Sequence, residues 1–117
     1  MIILPFRLPS LNDYIKAINR NKYVGNKMKQ EAQLDISFFL KGVKPVEKPC
    51  ILHFTWIEKD KRRDLDNIAF AKKFILDALV NDGILKDDSY RYVRGFTDDF
   101  KYESNAKIII EIEEIEE

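Results

Sequence analysis

The segment Lys61-Arg62-Arg63-Asp64-Leu65-Asp66-Asn67 sets cations directly beside carboxylates, and Asp87-Asp88 follows about twenty residues later. Folding alone does not require that arrangement. Gathered carboxylates hold a hard cation such as Mg²⁺, and neighbouring Lys and Arg side chains hold phosphate. A metal beside a phosphodiester is the chemistry of nucleases and other phosphoryl-transfer enzymes. Asp64 and Asp66 lie two residues apart where a charged loop meets a helix, and extended backbone there would point both carboxylates the same way. A capping role competes, because Asp is a favoured N-cap and suits the positive end of a helix. Two features weigh against capping alone: Arg62-Arg63, which a cap does not need, and the acidic tandem beyond the same helix. The tandem by itself reads as a solvated turn.

The helix that must carry this pair is expected to run from Asp66 to about Asp82. Ile68, Ala71, Ile75, Ala78 and Leu79 form an apolar stripe at helical period, and Gly83 follows the end. Such a helix is about 25 Å long, so residues 84–87 must turn back toward its start if Asp87-Asp88 is to meet Asp64 and Asp66. At 100° per residue, Asp66, Lys73 and Asp77 share one face within about 20°, while Lys72 points away. From that face the Lys73 stem can reach back toward a phosphate. Its alternative is a surface pair with Asp77, worth on the order of a few tenths of a kcal/mol. Lys61, Arg62 and Arg63 suit an anionic substrate, with the Arg forks binding phosphate bidentately. Tyr14, Tyr23, Tyr90 and Tyr92 could stack on unpaired bases, but such tyrosines are more often half-buried core residues.

The rest of the chain supplies the scaffold. Met1 to Leu8 reads as a first strand bent at Pro5, and Ser10 as the N-cap of a helix. Gly25-Asn26 interrupts, a helical pattern resumes from Met28 to Leu40, and Gly42, Pro45 and Pro49 mark a loop. Cys50 to Ile57 alternates, with Cys50, Leu52, Phe54 and Trp56 on one face, and both faces look partly covered, as in a central strand. Tyr92 to Phe96 reads as a strand, Thr97 to Ser104 as a hairpin-like turn, and Ile108, Ile110 and Ile112 belong to a last strand with one wet face. The fold class is α/β in the broad sense, of the α+β kind. It is a single compact domain over residues 1–117, with a mixed sheet packed against helices.

Composition bounds the function. The 45% hydrophobic content supports a real core, and zero net charge with pI near 6.6 argues against a strongly basic DNA-coating protein. The charge is uneven: residues 1–50 carry nine Lys/Arg against four Asp/Glu, and residues 103–117 carry six Glu against Lys107. With one cysteine, Cys50, and one histidine, His53, no intrachain disulfide, Cys-based zinc site or two-histidine zinc site can form. His53 lies in the alternating run and reads as a strand residue with a satisfied ring. No signal peptide or membrane-length apolar run is present, so a cytoplasmic protein without a membrane partner is the expectation.

Arg63-Asp64-Leu65-Asp66-Asn67, then Asp77-Ala78-Leu79, Gly83 and Asp87-Asp88, resemble the RusA family of Holliday-junction resolvases. Leu8-Pro9-Ser10-Leu11-Asn12 is similar to that family's opening after its first strand. The resemblance implies a RusA-like fold and a Mg²⁺-dependent, often prophage-encoded endodeoxyribonuclease, with Mn²⁺ as a substitute metal. It implies a homodimer that nicks four-way junctions or other branched DNA symmetrically in recombination and repair. It places the catalytic set at Asp64, Asp66, Lys73 and Asp88, with the three aspartates as metal ligands. Between Asp66 and Asp77 the chain carries about three more residues than the best-known family pattern. Counting forward from Asp66 therefore lands on Phe70, and the lysine is placed at Lys73 by its spacing to Asp77-Ala78-Leu79. Two other readings stay open: a non-catalytic junction-binding protein, and a metal-dependent nuclease of flaps, forks or RNA.

Overall fold

The computed structural model describes residues 1–116. In chain order the elements are β1 (Ile2–Leu4), α1 (Leu11–Arg20), α2 (Lys22–Phe38), β2 (Cys50–Glu58), α3 (Leu65–Ala69), α4 (Lys72–Asn81), β3 (Val93–Tyr102) and β4 (Lys107–Glu114). The strands form one mixed sheet in the order β1-β4-β2-β3. β2 is central, parallel to β3 and antiparallel to β4. A parallel neighbour requires a crossover, and α3 and α4 supply it.

Alternation along β2 puts Cys50, Leu52, Phe54 and Trp56 in the core, each no more than 1% exposed. They pack in one cluster with Ile108 and Ile110 of β4, Ala32 and Ile36 of α2, and Phe74, Ile75, Ala78 and Leu79 of α4. On the other face, Ile51, His53 and Thr55 are half-buried. The His53 ring is held there by Thr97 Oγ1 at 2.6 Å and Glu113 Oε1 at 2.7 Å, as expected of a satisfied strand histidine.

Several boundaries differ from the expectations. β1 stops at Leu4, because Pro5 has no N–H with which to extend the ladder. Ser10 does cap α1, in a reciprocal box with Asp13. The break between α1 and α2 falls at Asn21, which ends one helix and caps the next through its own side chain. Gly25 lies buried inside α2, where a Cβ would stand 2.3 Å from Ile18 Cγ2, so this glycine permits close packing of the two helices. β3 runs through the segment read as a hairpin turn, and the turn is confined to residues 103–106. Thr97-Asp98-Asp99 shows no apolar alternation because β3 is an edge strand whose side chains are largely outside the core.

Candidate functional site

Loop 59–64 leaves the end of β2, where the buried Glu58 carboxylate faces Arg7 at 3.5 Å. Arg63 ties this loop to the start of α1: its Nη1 donates to Leu8 O and its Nη2 to Asp13 Oδ2, both at 2.9 Å. Burial pushes the Asp13 carboxyl up, but the Ser10 hydrogen bonds and the charges of Arg63 and Arg7 outweigh it, so its pKa falls below the ordinary value. Arg62 is 90% exposed. Lys61 is also exposed, with its ammonium 5.3 Å from the centre of the Tyr102 ring. Two of the three basic side chains singled out by the sequence thus face solvent, and Arg63 has two N–H groups committed within the fold.

Asp64 occupies the N-cap position of α3, with extended backbone, yet its side chain makes no capping hydrogen bond. Asp66 follows in the first turn. Both are exposed, and neither carboxylate makes a hydrogen bond or ion pair among the described residues. A cap that does not cap and a carboxylate without a partner remain available to a ligand.

The helix expected to be continuous from Asp66 is divided. Ala71 N donates to Ile68 O, Lys73 N to Phe70 O and Phe74 N to Ala71 O, a tight i to i−3 pattern that re-aims the chain between α3 and α4. The shared helical phase of Asp66 with Lys73 therefore does not carry across the break. Lys73 and Asp77, both on α4, do pair, at 3.1 Å. The adjacent lysines separate sharply. Lys72 is bonded to Asp98 at 2.8 Å and lies over the Phe96 and Phe54 rings, at 4.5 and 5.4 Å from their centres. Asp98 also accepts from Trp56 Nε1 at 2.8 Å, so Lys72 ties α4 to the sheet.

Beyond α4 the chain turns back. Gly83 adopts φ +76° and Ile84 N donates to Leu79 O, reversing direction as a C′ glycine does. Ile84 and Leu85 are buried at 3% and 2%, and Ile84 O accepts from Val46 N, which fixes the return. Asp87 Oδ1 accepts from the Asp88 amide at 2.8 Å, and Asp88 Oδ2 lies 3.8 Å from Lys73 Nζ. The tandem is therefore divided: Asp87 closes its own turn, and Asp88 faces the helix. Asp77 takes two further donors from α2, Lys29 at 3.4 Å and Gln33 at 3.5 Å. A cavity of about 290 Å³ opens among Lys29, Gln33, Lys73, Asp77 and Asp88. The hydrogen bond to Asp77 and its charge, aided by Asp88 and opposed by slight burial, raise the Lys73 pKa above its ordinary value. Lys73 is therefore a cation at neutral pH and cannot serve as a base.

Sequence reasoning found Asp77 as a surface partner of Lys73 and as part of Asp77-Ala78-Leu79, with no anchor of its own. The anchoring by Lys29 and Gln33 depends on α2 crossing α4, which no local pattern announces. A cavity of about 940 Å³ lies between the β1–α1 segment and α2. Phe6, Val24, Met28, Leu34 and Phe38 are among its lining residues, and none of the four proposed catalytic residues is. Among the described residues no group of three or more His, Cys, Asp or Glu side chains is gathered to hold a metal. In kind, the uncommitted oxygens of Asp64 and Asp66 fit a hard divalent cation.

Fold and site together describe a small α+β domain that presents exposed carboxylates, a cationic loop and a lysine buttressed by Asp77. The chain belongs to the RusA family, since the model for endodeoxyribonuclease RusA matches residues 2–113, nearly its whole length. It is accordingly an endodeoxyribonuclease of the Holliday-junction-resolving kind. No curated protein matches the chain in comparison. No helix among the described residues is long and apolar enough to cross a membrane.

Proposed function

We propose that this chain is a Mg²⁺-dependent resolvase that acts in the cytoplasm as a homodimer, in recombination and repair. It would nick two opposed strands of a four-way junction. The observation that carries the reading is the state of Asp64 and Asp66: two exposed carboxylates, two residues apart, uncommitted to capping or to any ion pair. Asp64 and Asp66 would offer oxygens to the cation, and Asp88, which here faces Lys73, would have to move toward them to join as a third ligand. A Mg²⁺ ion held there would supply Lewis-acid chemistry, activating a water and offsetting charge on the leaving oxygen, and Mn²⁺ would substitute for it. Lys73, cationic and facing Asp88, stabilises the charge that develops on the phosphoryl oxygens. Its assignment over Lys72 is supported by the commitment of Lys72 to Asp98 and two aromatic rings. Lys61 and Arg62 hold flanking phosphates, and Arg63 keeps its remaining N–H groups for the same purpose. A two-fold dimer suits a two-fold junction, one site for each opposed strand.

The test is cleavage of an end-labelled synthetic four-way junction, with and without Mg²⁺, by wild type and Asp66→Asn. Paired symmetrical nicks that need Mg²⁺ and vanish in the variant are expected. Tight junction binding with no product in Mg²⁺ or Mn²⁺ would reduce the protein to a junction binder. Preference for flap, fork or RNA substrates would reassign its target.

A further inference from the structure

Asp77 has no part in the chemistry above, yet it is the most heavily bonded carboxylate near the site. It lies one turn after Lys73 on α4, with its side chain only 18% exposed. Its Oδ1 is 3.1 Å from Lys73 Nζ, and its Oδ2 lies 3.4 Å from Lys29 Nζ and 3.5 Å from Gln33 Nε2. Lys29 and Gln33 stand one turn apart on α2, so the carboxylate is gripped from two helices. An ordinary i,i+4 surface pair has no such support, and its flexible lysine samples many rotamers.

We propose that Asp77 is a positioning residue: anchored by Lys29 and Gln33, it holds the Lys73 ammonium toward Asp88 before DNA arrives. The inference rests on Lys73 being the cation of the nuclease site. Asp77 touches neither DNA nor metal in this arrangement and acts only through Lys73. A misplacement of about 1 Å in a catalytic group costs on the order of 10²-fold in rate, which sets the scale of the effect.

The experiment measures single-turnover cleavage of a four-way junction at saturating enzyme in Mg²⁺, and junction affinity in Ca²⁺. The proteins are wild type, Asp77→Ala and Lys29→Met, each with Lys73 intact and with Lys73→Ala. Asp77→Ala is expected to slow cleavage by roughly 10- to 100-fold with junction affinity and Mg²⁺ half-saturation unchanged. Lys29→Met should fall between wild type and Asp77→Ala. In the Lys73→Ala background neither substitution should slow cleavage further. An equal loss in both backgrounds, weakened junction binding or a raised Mg²⁺ requirement would overturn the proposal and make Asp77 a ligand in its own right. A wild type that cleaves no junction would instead remove the nuclease reading. Nitrogen NMR of the lysine ammonium groups needs no cleavage and decides the positioning itself. The Lys73 ammonium should be motionally restrained in wild type and freed in Asp77→Ala, and equal mobility in the two would refute it.

Discussion

Asp64 shows how one residue can satisfy a local rule and still be left for chemistry. It sits where an N-cap belongs, but the bond that defines a cap is missing. Asp64→Asn keeps the shape and removes the charge. It is expected to abolish cleavage while sparing junction affinity and thermal stability, and near-normal cleavage would show that the site is misassigned. Lys72 and Lys73 offer a sharper contrast, because they are neighbours with opposite commitments. Lys73→Ala should slow cleavage by about 10²–10³-fold, the scale of a lost transition-state donor, with little change in melting temperature. Lys72→Ala removes the ion pair with Asp98 and the packing on the Phe96 and Phe54 rings, while Asp98 keeps Trp56, and should cost about 1 kcal/mol in denaturant unfolding. Its cleavage rate, measured well below the melting temperature, should stay close to wild type. The reverse pattern would move the catalytic cation to Lys72.

At the scale of elements, the helix pair α1–α2 meets at Gly25. Gly25→Ala gains about 1 kcal/mol of helix propensity, but its Cβ would meet Ile18 Cγ2 at 2.3 Å. Overpacking of that kind costs about 1–3 kcal/mol, so net destabilisation is expected in chemical unfolding. Ile18→Ala should remove most of the added cost in the double variant, which separates a steric clash from a backbone effect. Gly25 also shows what the sequence conceals. A glycine is read as an interruption, whereas here the interruption lies at Asn21 and the glycine serves a contact seven residues back along the chain. The strongly periodic pieces were legible: β2, the stripe from Ile68 to Leu79, and the wet-faced β4 all depend on burial that alternation records. The break at Phe70 and Ala71 was not, because both residues keep helical backbone and the apolar stripe runs across it unaltered. The outer half of β3 was equally hidden, since an edge strand need not show the alternation of a buried one.

At the scale of the whole molecule, the acidic return and the cationic loop are brought to α4 and α3 by contacts remote in sequence. Val46 fixes the return of residues 84–88, and Leu8 and Asp13 fix loop 59–64 through Arg63. The residues of the site were therefore readable as types and spacings, and the contacts that place them, among them the approach of Asp88 to Lys73, were not. Because Asp13 bonds both the α1 cap and Arg63, its titration links site geometry to folding. Its pKa is depressed in the folded state, so the stability it contributes is present above its unfolded value, near 3.8. That contribution is lost as pH falls through the lower, folded value. Thermal unfolding followed from pH 6 downward should therefore show a loss that steepens below about pH 4. Asp13→Asn should start from a lower stability at neutral pH and fall less steeply in acid, since its side chain no longer titrates. Ser10→Ala removes the hydroxyl that helps depress Asp13 but leaves the Ser10 amide bond and the Arg63 pair in place, so it should lie between the two. Were Asp13→Asn to track wild type in parallel through the acid range, the coupling of cap, loop and site through this carboxylate would be excluded.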